Sequence, residues 1–490
     1  MSDLPFATVP DLVRRHAHER PAHPALIQDG AGGLARVDYA ALDALMDRVA
    51  AKLQREGVRP RDAVAVCAAS SIEYAALFLG ALRAGAAVAP LAPGATPESI
   101  ARMRADSGAK MYFGADELAG IAQWPQATPA PVAIQPDWPF NIIYSSGTTG
   151  LPKGIVQPHA MRWSHVLRSV RTGYGPAAVT LVSTPLYSNT TLVSFIPTIA
   201  LGGTAILMAK FDVRAYLELA QKYRVTHSML VPVQYQRFMA FPDFDRYDLS
   251  SFRVKTATSA PFPAALKAEV VRRWPGRLVD SYGLTEGGGT CLLDCGAHPD
   301  KLHTVGLPAP GHDIRLIDEA GNELPAGTGA TGEVVGHSTG MMSGYHNQPR
   351  MTEDAFWHDA AGKPFIRTGD IGRFDDDGFL VLVDRRKDMI ISGGFNIYPS
   401  DLEAVLAQNE HVAEASVVGV PSEQWGETPV AFVVLRTPVA AGALLDWVNA
   451  RLGKTQRIAA LEIVGALPRS PIGKVLKRVL RDGYVQGVKP

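Results

Sequence analysis

"FNIIYSSGTTGLPKG", residues 140 to 154, runs a short apolar segment straight into glycines, hydroxyls and a single cation. The segment 140–144 reads as a buried strand. Residues 145–153 have the composition of an anion-binding turn. Glycines let backbone N–H groups approach an anion closely, and serine and threonine add short donors. Lys153 contributes a compact positive charge. This is not a Walker loop: counted from Gly147, the required Gly-Lys-Ser/Thr falls on Pro152-Lys153-Gly154. Taken alone, such a loop is as readily an ordinary surface loop.

Outward from this stretch, strand-like and helix-like segments alternate. Asp38 is a candidate N-cap, and Leu42, Leu45, Met46, Val49 and Leu53 recur behind it at helical spacing until Gly57. "AVAVC" (63–67) reads as a buried strand. "TAILM" (204–208), a helix near 213–223, "SMLVP" (228–232), "FRVKTA" (252–257), "PAALKAEVVRRW" (263–274) and "RLVDSYG" (277–283) continue the alternation. The pattern predicts α/β layers with mostly parallel strands. After about residue 300, "HDIRLID", "GEVVGHS" and "GFLVLVDR" are strands split by turns such as "DEAGN" and "DDDG", a small antiparallel β subdomain. From about 388 a second α/β unit begins, ending in a basic helix near 474–482. The expected class is therefore α/β: a large N-terminal domain of layered α/β sheets over 1–386, with the β subdomain at about 300–386, and a small mobile α+β C-terminal domain over 387–490.

A chain of 490 residues exceeds one ordinary core. Lys plus Arg equals Asp plus Glu, 48 each, so no global field steers it onto nucleic acid or an anionic membrane. The N-terminal stretch has no apolar core flanked by a cleavage site, and no signal peptide is expected. The apolar run 74–93 carries Arg83 at its centre and Pro90 soon after, which suits a buried helix leading into a strand better than a membrane span. Three cysteines form no disulfide framework, so a reducing cytoplasm is the natural setting. Cys291 and Cys295 precede His298 and His303, but the spacing matches no standard zinc finger and no metal is expected there.

Further motifs stand in order behind the opening loop: "DSYGLTEGGG" (280–289), "RTGD" (367–370), "VDRRKDMIISGGFNIYPSDLE" (383–403) and "PRSPIGKVLKR" (468–478). Together with 144–154 they resemble the adenylate-forming superfamily of acyl- and aryl-CoA synthetases, peptide-synthetase adenylation domains and luciferases. The resemblance spans about residues 10 to 485. It implies that a carboxylic acid attacks the α-phosphate of ATP to give an acyl-adenylate and pyrophosphate, after which a thiol, usually of coenzyme A, takes the acyl group.

The resemblance also implies roles. Ser145, Ser146, Gly147, Thr148, Thr149 and Lys153 match the phosphate loop. Tyr282 matches the ring against adenine, beside Asp280 and Gly283. Ser259, Ala260 and Pro261 match the adenine-lining backbone, and Thr285 a phosphate contact. Glu286 matches the Mg²⁺ carboxylate, a hard oxygen ligand suited to a phosphate-bound metal. Asp370 matches the ribose acceptor, Arg385 an arginine near ribose and phosphate, and Lys387 the hinge. Gly393, Gly394 and Asn396 match a segment that approaches the site for the thiol step. Lys474 matches the lysine bridging the attacking carboxylate and the α-phosphate, where negative charge builds in the transition state.

The acid is less legible. Ser188 in "PLYSNTT" (185–191) stands where many CoA ligases carry histidine, and no Asp near it could hold an amino group, which disfavours amino acids. Tyr187, Asn189, Gln234, Gly287 and Gly288, with Val231 and Tyr235 nearby, make a moderately apolar lining with small residues. It suits an aryl, hydroxycinnamoyl-type or short to medium acyl acid. Arg237 is a candidate anchor for a second carboxylate, although a helix arginine with its stem on apolar surface is the more ordinary reading. The leading function is an AMP-forming acid–CoA ligase using ATP, Mg²⁺ and coenzyme A, acting as a monomer or homodimer without nucleic acid or membrane span. The alternatives are a stand-alone adenylation enzyme loading an acyl carrier protein, and a nucleotide-binding regulator without catalysis.

Lys474→Ala is expected to slow adenylation by about a hundredfold or more while sparing thioester formation from premade acyl-adenylate. Single-turnover measurement of the two half-reactions decides; equal losses in both contradict the role.

Overall fold

The computed structural model describes residues 5–28, 35–146, 152–325, 327, 329–385, 388–392, 395–423, 425–453, 456–470 and 475–487; the side chains of 145, 146, 152, 385, 391, 395 and 396 are outside the description. The chain divides into two compact units. One comprises 1–314 with 336–366, the other 315–335 with 367–490. The divisions fall within the strands Asp313–Ile317, Gly332–His337 and Pro364–Phe374. The second unit thus takes in 367–386, ahead of the boundary expected at 386/387.

The first unit is built on two sheets. The larger has nine strands, in order Leu307–Pro308, Thr290–Asp294, Arg277–Gly283, Val254–Ala257, His227–Leu230, Val179–Val182, Thr204–Leu207, Pro24–Gln28 and Arg36–Asp38. The six from Arg277–Gly283 to Pro24–Gln28 are mutually parallel. Their sequences are apolar runs with little alternation, as strands covered on both faces require. The six-stranded sheet runs Gly344–Tyr345, Pro152–Pro158, Pro139–Ser146, Ala87–Pro90, Ala63–Val66 and Met111–Phe113. Its last four strands are parallel. At the segment 140–154, Pro139–Ser146 pairs antiparallel with Pro152–Pro158, with Tyr144 opposite Gly154 and Ser145 opposite Lys153.

Local signals account for the helices of this unit. Asp38 caps Tyr39–Arg55 by accepting from Ala41 N at 2.8 Å. Ser71 caps Ile72–Arg83, every residue of which is buried. Arg83 survives there because Asp43 Oδ1 and Asp47 Oδ1 take its guanidinium at 2.5 and 2.8 Å, and the carbonyls of Asp43 and Pro10 take more. A buried cation needs such partners.

In the second unit, the strands Phe395–Ile397, Ile390–Ser392, Gly426–Leu435 and Val412–Ser422 form an antiparallel sheet, with Ala460–Ile463 parallel on Gly426–Leu435. Side-chain alternation splits its two faces. Val417, Ala431 and Val433 pack with Leu402, Leu406, Leu444 and Val448 of helices Pro399–Leu406 and Ala441–Asn449. Val418, Val430 and Phe432 pack with Leu480 of helix Lys477–Val485. Among the described residues no helix is long and apolar enough to cross a membrane.

Arg83→Ala removes the buried partner of Asp43 and Asp47 and leaves them, among the described residues, only the exposed Arg14. It is expected to cost about 1–3 kcal/mol. Denaturant unfolding followed by intrinsic fluorescence reads it. A change within about 0.5 kcal/mol, typical of surface substitutions, would show that the pair is dispensable.

Candidate active site

In open α/β sheets the ligand crevice lies beyond the carboxyl ends of parallel strands, where strand order reverses. Here the chain passes from Val179–Val182 to Thr204–Leu207 on one side, then returns to His227–Leu230 on the other. The loops after four adjacent strands therefore gather at one end: 183–188, 231–234, 258–261 and 284–289. Their side chains are already tied to one another. Thr190 Oγ1 and Ser259 Oγ lie 2.6 Å apart, Thr258 Oγ1 donates to Ser281 O at 2.8 Å, and Gln234 Nε2 donates to Ser183 Oγ at 3.2 Å. Ser259 has φ +78°, a left-handed conformation uncommon for a serine and of the kind that gathers at functional sites.

The glycine triplet has a clear structural cause. Gly287 and Gly288 both have φ near +80°. A Cβ on Gly287 would lie 2.0 Å from the Gly340 carbonyl oxygen, and one on Gly288 2.5 Å from that of Gly336. Only glycine permits this approach. It pins the loop through Gly288 N→Gly340 O at 3.1 Å and Met342 N→Glu286 O at 2.8 Å.

Glu286 is thereby brought beside the 139–158 strand pair. Tyr345 Oη donates to Glu286 Oε1 at 2.9 Å, and Lys153 Nζ stands 4.7 Å from the centre of the Tyr345 ring. Burial first, and then the Glu286 carboxylate, push the Tyr345 hydroxyl upward, so it remains a donor. The other Glu286 oxygen makes no hydrogen bond among the described residues. A half-buried carboxylate with one oxygen oriented and one open fits a magnesium ion that takes most of its ligands from water and phosphate.

Beneath this lies a polar junction. Gln157 Nε2 donates to Thr285 O at 2.6 Å and to Asn189 Oδ1 at 3.2 Å. Asn141 Nδ2 donates to Gln157 Oε1 at 2.8 Å. Arg162, 1% exposed, donates to Asn141 Oδ1 and Asn189 Oδ1 at 2.9 Å and also to Gln157 Oε1. The junction ties the 139–158 strand pair, the start of helix Asn189–Ala200 and the Glu286 loop together.

Several expected residues are held in other ways. Asp280 is 5% exposed and paired with Lys267 at 2.7 Å; burial raises its carboxyl and Lys267 opposes the rise. Gln234 Oε1 accepts from Val231 N at 3.0 Å, capping its own helix. Tyr235 lies in the aromatic core, stacked on Phe262 at 5.2 Å. Arg237 is exposed to solvent on helix Pro232–Met239. Tyr282 and Tyr187 are half-buried, the former on strand Arg277–Gly283. In the second unit Asp370 is buried and directly opposite Arg385 across the strand pair. Gly147, Thr148, Thr149, Lys387, Gly393, Gly394 and Lys474 lie outside the described residues, and for Ser145, Ser146, Arg385 and Asn396 only the backbone strand is described. Cys291 and Cys295 are buried and their thiols pushed up to about 12 by burial, which disfavours thiolate ligands; among the described residues no group of three or more His, Cys, Asp or Glu could hold a metal.

Sequence reasoning missed Gln157, Arg162 and Tyr345. A polar residue inside each apolar strand, Asn141 in "FNIIY" and Gln157 in "GIVQP", was the available signal.

Strand ends gathered at a reversal of sheet order, beside an oriented carboxylate and a lysine, define a ligand-handling α/β enzyme. Residues 13–346 match the model of the AMP-binding enzyme family, and residues 401–474 that of the AMP-binding enzyme C-terminal domain. The chain belongs to this family, the adenylate-forming superfamily, and is of its acyl- and aryl-CoA synthetase type. It is 32% identical to the long-chain-fatty-acid–CoA ligase FadD13 of Mycobacterium tuberculosis, over 96% of this chain and 98% of that protein. It is also 32% identical to a feruloyl-CoA synthase of an Amycolatopsis species, with the same two coverages. The ATP-bound structure of MatB from Rhodopseudomonas palustris superposes with a TM-score of 0.85 at 28% identity, covering 99% of this chain and 100% of the other.

Gln157→Leu leaves the Thr285 carbonyl and a buried guanidinium short of partners. It is expected to destabilise the protein by about 1–3 kcal/mol in chemical unfolding. No loss would mean that water replaces the amide and the junction is not tight.

Proposed function

We propose that this protein is an AMP-forming acid–thiol ligase that adenylates a carboxylic acid with ATP and passes the acyl group to coenzyme A. The observation that carries the reading is the line Lys153–Tyr345–Glu286, in which one tyrosine meets a cation at its ring and a carboxylate at its hydroxyl. The CoA ligases among its relatives support it.

In this reading the acid attacks the α-phosphate of ATP and pyrophosphate leaves. Lys153 and the hydroxyls of Ser145, Ser146, Thr148 and Thr149 hold the departing phosphates. Glu286 and the Thr285 hydroxyl face the nucleotide. Mg²⁺, when bound by Glu286, neutralises phosphate charge. Tyr282 and the 259–261 backbone flank adenine, and Asp370 accepts the ribose hydroxyls. Lys474 stabilises charge on the attacking and phosphoryl oxygens. Lys387 is the pivot about which the C-terminal part turns to bring Gly393 and Gly394 to the thiol step. The three free cysteines, all buried, support a reducing, cytoplasmic setting.

Acid-dependent pyrophosphate release from ATP, followed by thioester formation only when coenzyme A is added, is the expected result over a panel of acids. Absence of both with every acid sinks the reading. Tyr345→Phe, which frees Glu286 from its orienting donor, is expected to raise the Mg²⁺ concentration for half-maximal rate by about tenfold. An unchanged magnesium titration would remove Glu286 from the metal role.

A further inference from the structure

Helix His159–Val170 turns three basic side chains to one stripe: Arg162, His165 and Arg168, spaced i, i+3, i+6. Arg162 links the stripe to the Glu286 loop through Gln157, which donates to Thr285 O. From the same helix, Met161 reaches within 2.9 Å of where a Cβ on Gly287 would stand. Arg168 Nη1 lies 3.1 Å from His312 Nε2 and 3.5 Å from Thr290 Oγ1, just beyond the glycine triplet. Arg162 closes the other end on Asn189.

What the stripe lacks is negative charge. Among the described residues no carboxylate pairs with Arg162 or Arg168. Arg162 Nη1 and His165 Nδ1 are buried and make no hydrogen bond, in side chains 1% and 8% exposed. The charges on His165 face only cations, namely Arg168, Arg162 and His312, and burial with these neighbours holds His165 well below the usual histidine range. His312 is held at about 4, by burial first and Arg168 next. The histidines are thus neutral near pH 7. The guanidiniums, lowered by burial only to about 9 and about 10, keep their charge. Buried charges are ordinarily paired, and an arginine cannot escape by losing its proton. Arg168 and His312 are half-buried, so the stripe is reachable at that end.

We propose that this stripe receives a second carboxylate carried by the acid, so that the preferred substrates are dicarboxylic acids. The inference rests on the ligase reading, with Gly287 and Gly288 lining the acid. Arg168, at the half-buried end of the stripe, is where such an acid makes contact, with Arg162 buried behind it. The Arg168 guanidinium takes the distal carboxylate in a charge-assisted, bidentate fashion, and neutral His165 and His312 add donors. This replaces Arg237, which lies exposed on another helix, as the anchor for such a group.

Matched pairs test it: glutarate against pentanoate, adipate against hexanoate, terephthalate against 4-methylbenzoate. Calorimetric binding to the full chain is measured with and without a non-hydrolysable ATP analogue, alongside pyrophosphate release. The diacid of at least one pair is expected to bind about tenfold or more tightly than its partner. In Arg168→Met that ratio falls towards one, and Arg168→Lys restores part of it. Equal binding within every pair overturns the proposal, as does an Arg168→Met variant that weakens both members by the same factor. Arginine-dependent diacid binding without any pyrophosphate release would sink the ligase reading and leave the stripe standing. Turnover of monoacids with no diacid preference would do the reverse.

Discussion

The side-chain amide of Gln157 holds the site in register. Its nitrogen reaches a carbonyl 128 residues away, at Thr285, and its oxygen is shared by Asn141 and Arg162. A buried amide with both ends engaged tolerates little displacement, because any slip leaves a buried polar group unpaired. The 139–158 strand pair, the loop bearing Glu286 and the first turn of helix Asn189–Ala200 therefore keep their relative positions. Tyr345 adds a second tie from the edge strand to the same loop. Phosphate handling of the kind proposed needs this rigidity around a loop that must itself release its product.

Buried cations elsewhere in the first unit show how unusual the stripe on helix His159–Val170 is. Lys255 directs its ammonium at the carbonyls of Trp274, Pro275 and Gly276, at 3.1, 2.6 and 2.8 Å. Burial pulls it down to about 7. Lys267 has Asp280 and two carbonyls, and Arg83 has two aspartates. Each is satisfied from within the chain. Arg162 meets only neutral amides and the face of Phe140, and Arg168 a histidine and a threonine. Among the described residues neither has a carboxylate, and Arg162 Nη1 is left without a hydrogen bond.

Legibility followed the range of the interaction. "AVAVC" became the strand Ala63–Val66, and the 213–223 helix became Val213–Lys222 behind its Asp212 cap, because the signals act within a turn or two. The strand at 140–144 was read from the sequence, but not its antiparallel partner Pro152–Pro158. Nothing local in an apolar segment says whether its partner runs parallel or antiparallel. Gly287 and Gly288 were read as part of an acid lining. That the carbonyls of Gly340 and Gly336, some fifty residues on, also demand glycine there was not legible. Gln234 and Tyr235 fit the pattern of a pocket lining, yet one caps its own helix and the other completes an aromatic cluster around Trp274.

Taken by itself, the order of residues determined the layered α/β class, the caps, the motifs and the family they mark, since each is written in neighbours along the chain. Only the tertiary structure decided which polar residues are spent on one another and which face outward to a ligand. A side chain's hydrogen-bonding capacity is finite, and what consumes it in Arg162, Gln157 and Asp280 comes from segments far away in sequence.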